Sequence, residues 1–155
     1  MFFSDDMREL LLLFEKYQVK YAVCGGFAVA HYGFIRATMD FDLLVSPGRK
    51  NAKGIMKALE EFGFGASGIS ETAFLNAGTA VTLGSQPNQI DLLTSMSSHS
   101  TDEIISRAGI VKIKDVTVKM VSYEDLMIAK REAGRPKDLI DYEELTKTPP
   151  ESPSK

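Results

Sequence analysis

Three aspartates and a pair of glycines have the residue types and spacing that chemistry needs. Asp40 and Asp42 flank Phe41 in the segment DFDLLV, and Asp91 lies among large aliphatic residues in QIDLL. Aliphatic neighbours of this kind predict strands. Side chains alternate along a strand, so Asp40 and Asp42 share one face while Phe41 and Leu43 take the other. Two carboxylates that close repel. Such a pair persists at neutral pH by sharing a proton, by facing water, or by holding a divalent cation between its oxygens. Asp91 repeats the pattern in a second strand, which allows three carboxylates to converge.

Upstream, Gly25 and Gly26 end a predicted strand just before a helix, where bare backbone can approach a ligand closely. Free amides in the first helical turn, together with the helix dipole, suit a phosphate group. A phosphate-binding turn facing a carboxylate cluster implies a nucleoside triphosphate bound with Mg²⁺ (or Mn²⁺), an ion that bridges carboxylates and phosphates. Arg36 and Thr38, just before the carboxylates, are able to reach phosphate oxygens, and they read equally well as an ordinary loop arginine and turn threonine. His31 and His99 have no neighbour that signals nucleophilic catalysis, and Cys24 reads as a small buried hydrophobe.

The elements that must position these residues follow from the hydrophobic pattern. DDMRELLLLFEKY has a helical stripe at Met7, Leu10, Leu11 and Phe14, with Asp5 or Asp6 as the expected cap. VKYAVCGG reads as a buried strand, FAVAHYGF as a helix and FDLLV as a second strand stopped by Ser46, Pro47 and Gly48. Ile55, Met56, Leu59 and Phe62 mark a helix from Arg49 to Phe62. TAVTLG and NQIDLLTS predict a hairpin across the turn-rich SQPN, and GIVKIKDVTVKMV predicts another about Lys114 and Asp115. SYEDLMIAKREAG begins at a capping Ser122 and stops at Gly134, and a last helix starts at Pro136. The fold class expected is α/β (α+β): a mixed central sheet flanked by helices, with helices at the C-terminal end.

Size and charge bound the function. The chain has 155 residues, 44% hydrophobic content and a net charge of −3. Residues 1–147 therefore read as one domain, and the proline- and serine-rich 148–155 as a disordered tail. Net negative charge argues against a surface built for non-specific nucleic-acid binding, though it leaves room for a local basic pocket. One cysteine, no basic and apolar leader and no apolar run of membrane-spanning length point to a cytoplasmic protein with no membrane contact.

A strand, Gly-Gly, a short helix, DFDLLV and a later IDLL, in that order, resemble the nucleotidyltransferase superfamily of the polymerase-beta type. YEDLMIAKREAGRPKDLIDYEEL resembles the C-terminal part of small bacterial members that include relatives of abortive-infection toxins. The resemblance spans about Val19 to Leu145. It implies a minimal nucleotidyltransferase fold in which Asp40 and Asp42 bind the metals, Asp91 completes one metal site, Gly25 and Gly26 hold the triphosphate and Lys130 points towards the nucleotide. The implied reaction is transfer of a nucleoside monophosphate to an acceptor hydroxyl on RNA, protein or a small molecule. Many members have Gly-Ser where this chain has Gly25-Gly26, so one hydroxyl contact to phosphate is missing. The alternative is a catalytically silent nucleotide-binding or interaction module, toxin- or antitoxin-like, with a homo-oligomer or a protein partner. Arg135, Lys137 and Asp138, where one helix gives way to the next, are expected to cap and pair, and Asp141 to pair locally.

Overall fold

Residues 3–37, 40–63 and 68–150 are described by a computed structural model. Its first helix, α1 (Asp5–Lys16), buries Met7, Leu10, Leu11 and Phe14, the stripe that the spacing predicts, and Leu13 beside it. The cap differs from expectation. Ser4 is the N-cap and its hydroxyl accepts from the Met7 N–H at 3.1 Å, while Asp5 and Asp6 occupy the first turn, where their charge meets the positive end of the dipole.

Strand β1 (Tyr21–Cys24) is buried throughout and runs straight into the short helix α2 (Gly25–His31). Strand β2 (Asp40–Val45) follows, with its odd-numbered residues Phe41 and Leu43 fully buried and the aspartates half-buried on the other face. Helix α3 (Arg49–Phe62) packs against α1. Strands β3 (Ala80–Leu83) and β4 (Gln89–Leu93) form the first expected hairpin, and β5 (Gly109–Ile113) and β6 (Val116–Met120) the second. Helix α5 (Tyr123–Ala133) starts at Ser122, whose hydroxyl accepts from the Asp125 N–H at 3.0 Å, and ends at Gly134 with φ +64°. Helix α6 (Pro136–Thr146) packs on α5.

Two elements lie outside the sequence expectations, a 3₁₀ turn at Glu71–Phe74 and helix α4 (Thr101–Ser106). Both are too short to show a hydrophobic period, yet each anchors core residues, Phe74 in one and Ile104 and Ile105 in the other. Thr148, assigned by sequence to the tail, is docked: its hydroxyl donates to the Tyr32 carbonyl at 3.0 Å. Residues 151–155 of that tail lie outside the described residues.

The strand order is β3-β4-β2-β1-β6-β5 in one mixed sheet. The central pairs matter most. β1 runs antiparallel to β2, and β2 runs parallel to β4, with Cys24 opposite Asp42 and Asp42 opposite Asp91. Behind the aspartates, Phe41 meets Phe27 edge-on at 4.7 Å between ring centres and Phe3 at 5.8 Å. This aromatic cluster fixes the register of β2, because a slip of one residue would turn Phe41 to solvent and bury both carboxylates.

Candidate active site

Strand register puts Cys24, Asp42, Asp91 and Thr82 in one row across β1, β2, β4 and β3. Asp40 lies two residues along the same face of β2, opposite Gln89. Cys24, Asp40, Asp42 and Asp91 form the floor of a cleft of about 660 Å³, whose other lining residues include Gly25, Gly26, Arg36, Lys130, Arg135, Lys137 and Asp138. Seven of the eight residues singled out from sequence thus line one cavity: Gly25, Gly26, Arg36, Asp40, Asp42, Asp91 and Lys130. The eighth, Thr38, lies outside the described residues.

Gly25 is the point of closest approach. It has φ +63°, and a β-carbon there would lie 2.0 Å from Asp42 Oδ2. Only glycine gives both the left-handed backbone and the space. The next residue, Gly26, is buried in the first turn of α2, and the N-cap Cys24 makes no side-chain hydrogen bond to that turn.

Asp42 and Asp91 stand directly opposite each other across the β2–β4 ladder. Burial, then the charges of Asp91 and Asp40, push the Asp42 carboxyl up to about 7, against the weaker opposing pull of Lys130. Asp42 therefore holds a proton more readily than a free aspartate, because two further carboxylates face it across and along the strand. Asp91 also accepts from Thr82 Oγ1 at 2.8 Å and Gln89 Nε2 at 3.1 Å, and Asp40 accepts from Gln86 Nε2 at 3.4 Å. The Cys24 thiol, wholly buried and next to Asp42, is pushed well up and stays protonated.

The cationic wall comes from α5, α6 and the loop after α2. Lys130 Nζ lies 3.0 Å from Asp141 Oδ2 and 3.3 Å from Asp138 Oδ1. Arg36 grips Asp141 with both arms of its fork, Nε at 2.7 Å and Nη2 at 2.8 Å. Arg135 Nε donates to Asp138 at 2.6 Å. Both aspartates are 1% exposed. Burial alone would raise their pKa, but the hydrogen bonds from Arg36 and Lys130 to Asp141, and from Arg135 and Lys130 to Asp138, outweigh it and hold both below the ordinary value.

This hub departs from the sequence reading in one respect. Asp141 does not pair locally: it ties α6 to Arg36, more than a hundred residues away. A signal was present, because Asp138, Asp141 and Leu145 fall on one helical stripe and all three are buried. Two charges on an inward stripe demand buried partners.

Three carboxylates supply hard oxygen donors, and the raised Asp42 shows uncompensated negative charge, so the donor set suits a divalent cation such as Mg²⁺. Among the described residues, no three His, Cys, Asp or Glu side chains are already drawn together as a metal cage. Loading would require Asp42 to release its proton.

The family described as "Nucleotidyl transferase of unknown function (DUF2204)" matches residues 3–152. The chain belongs to this nucleotidyl transferase family. Among solved structures, it is similar to a Thermotoga maritima protein assigned as a nucleotidyltransferase, with TM-score 0.62, 12% identity and coverage of 91% of this chain and 90% of the other. It is also similar to a lincosamide antibiotic adenylyltransferase solved with lincomycin bound, with TM-score 0.55, 14% identity and coverage of 95% and 98%. A third similar structure is ANT(2″)-Ia in complex with adenylyl-2″-tobramycin, with TM-score 0.55, 14% identity and coverage of 91% and 86%. At these identities the likeness is one of fold: the six-stranded mixed sheet with flanking helices is the nucleotidyltransferase fold. No curated protein matches the chain. No helix among the described residues is long and apolar enough to cross a membrane.

Proposed function

We propose that the cleft binds a nucleoside triphosphate with Mg²⁺ (or Mn²⁺) and transfers its nucleoside monophosphate to an acceptor hydroxyl. The single observation that carries this reading is the in-register pair Asp42–Asp91 on adjacent parallel strands, with Gly25 backed onto the Asp42 carboxylate. Membership of a nucleotidyl transferase family and the likeness to two antibiotic adenylyltransferases support it.

In this mechanism Asp40, Asp42 and Asp91 would hold the divalent ions, which when bound would supply charge neutralisation at the phosphates and lower the pKa of the attacking hydroxyl. Asp91 lies against the acceptor side and takes the hydroxyl proton. The acceptor oxygen forms a bond to the α-phosphorus, the bond from that phosphorus to the bridging oxygen breaks, and pyrophosphate leaves with the electron pair. Gly25 and Gly26 offer the amides of the first turn of α2 to the triphosphate. Lys130 and Arg36 face the phosphates from the wall, oriented by Asp138 and Asp141. Catalysis is then chiefly positioning and electrostatics. Small-molecule hydroxyls of the kind carried by the antibiotics bound in similar structures are the first acceptors to try, ahead of RNA and protein.

One observation favours the second reading, a nucleotide-binding or interaction module of the toxin–antitoxin kind without turnover: Gly26 brings no hydroxyl to the phosphate turn. Both readings place the protein in a reducing cytoplasm. Thermal melts with ATP, GTP, CTP or UTP, each with and without Mg²⁺, test the shared core of the two. The expected outcome is stabilisation by at least one nucleotide only when the ion is present, by mass action on the native state. Equal melting temperatures at millimolar ligand would sink both.

A further inference from the structure

At the opposite end of β1 and β2 from the aspartates lies a second cleft, of about 630 Å³, lined by Tyr17 and Gln18 after α1, by Lys20, by Ser46–Gly48 and by residues of α3 between Arg49 and Lys57. Five of its lining side chains are basic, namely Lys20, Arg49, Lys50, Lys53 and Lys57, and none is acidic. In a chain of net charge −3 this is a strong local segregation. None of the five makes an ion pair among the described residues. Glu61, four residues beyond Lys57, binds Lys16 and Tyr17, and Asp102 accepts from Ser46.

The cleft is held in shape. Asn51, in the first turn of α3, accepts from the Lys20 N–H at 2.7 Å and donates to the carbonyls of Lys20 at 3.1 Å and Ser46 at 2.8 Å. It thereby pins the start of β1, the end of β2 and α3 together. Gly54 lets α3 approach α1 closely, since a β-carbon there would lie 3.1 Å from the Tyr17 carbonyl. Arg49, Lys53 and Lys57 follow at four-residue spacing along one face of α3, about 6 Å apart at 1.5 Å rise per residue. That interval is comparable to the spacing of neighbouring phosphates along a nucleic-acid strand. The first turn of α3 carries no acidic residue, so its amide dipole adds to the positive potential.

We propose that this cleft is a second binding site, which takes the phosphate backbone of a single-stranded nucleic acid. A lone nucleotide fits poorly, because it clusters its phosphates at one point, whereas Arg49, Lys53 and Lys57 are spread along the cleft; the one aromatic ring among the lining residues, Tyr17, has its hydroxyl bonded to Glu61 and its face under Lys16, so recognition falls on phosphate and not on stacked bases. A lipid surface fits poorly as well, because the lining offers cations and no exposed large apolar side chain. Contact is therefore to backbone, tolerant of sequence and weakened by salt. The site is separated from Asp42 by about 13 Å along β2, four residues at ~3.3 Å each, so a strand held here can lie outside the catalytic cleft.

The test is fluorescence anisotropy with a labelled oligouridylate, using the full chain with neither nucleotide nor divalent ion, so that its outcome is independent of the catalytic reading. Binding in the micromolar range at low salt is expected, with a slope of log affinity against log salt of about −0.7 for each phosphate contact. The double substitution Lys53→Glu and Lys57→Glu should weaken binding by roughly tenfold or more and flatten that slope by about 1.4. Both side chains are exposed and unpaired, so the fold should survive, and an unchanged melting temperature confirms it. The pair Lys112→Glu and Lys147→Glu, with the same change in net charge elsewhere, should leave affinity within about twofold. Equal loss from both pairs, no binding by the unmutated chain, or tighter binding of a duplex of the same length would each overturn the proposal.

Discussion

Gly25 and Asp42 touch so closely that no β-carbon fits between them: one added to Gly25 would lie 2.0 Å from Asp42 Oδ2. Gly25→Ala therefore has to displace the carboxylate and also hold a left-handed backbone, at a cost of about 1–3 kcal/mol. The expected outcome is a lower denaturation midpoint together with loss of ion-dependent nucleotide stabilisation, read in the same melts. Full nucleotide stabilisation in this variant would show that the Gly25–Asp42 contact has no part in the site.

The carboxyl of Asp42 gives the protein a characteristic pH dependence. Its folded-state value of about 7 lies above that of a free aspartate, so folding takes up a proton between the two. The contribution of this group to stability is fully present below about pH 4 and is lost as pH rises through 7. Urea titrations between pH 5 and 8 should show stability of the ion-free protein falling, and Asp42→Asn should flatten that fall and raise stability at pH 8. A divalent ion competes with the proton on Asp42, so Mg²⁺ should stabilise the unmutated protein more at pH 8 than at pH 6. A slope unaltered in Asp42→Asn would place the titration elsewhere.

Asp141→Ala probes the buried hub. It leaves Arg36 without its carboxylate and Lys130 with Asp138 alone, and removal of one member of a buried ion cluster costs about 3–5 kcal/mol. A loss of that size in chemical denaturation is expected, along with weaker nucleotide binding from a cation wall that is no longer oriented. A change below about 1 kcal/mol, the range of exposed pairs, would mean that the cluster is solvated in solution.

The outcome of reading the sequence differs from element to element, for physical reasons. Long amphipathic helices such as α3 and strands with apolar alternation such as β6 are legible because period and burial coincide. Asp40, Asp42 and Asp91 stand out because charge among strand aliphatics conflicts with propensity, and such conflicts mark sites. The partners of Arg36 and Lys130 are not legible: the Asp141 contact spans 105 residues, and nothing local in PKDLIDYEEL says which cation it meets. The register that sets Asp42 opposite Asp91 is likewise hidden, since the strands that carry them are about fifty residues apart in sequence. Helix α4 escapes because six residues hold less than two turns of pattern.

Transfer of label from a triphosphate to an acceptor tests the central claim most directly. The protein is incubated with Mg²⁺ and either α- or γ-labelled ATP, or the nucleotide selected by thermal melts, beside aminoglycosides, lincosamides, RNA and a mixed cell extract. The account predicts that only the α-label becomes attached to an acceptor, with equimolar pyrophosphate released. It further predicts that Asp91→Ala keeps most of its nucleotide affinity while losing transfer by about two orders of magnitude or more, a loss confined to the transition state. Nucleotide binding without transfer of α-label to any acceptor, or transfer that persists undiminished in Asp91→Ala, would contradict it.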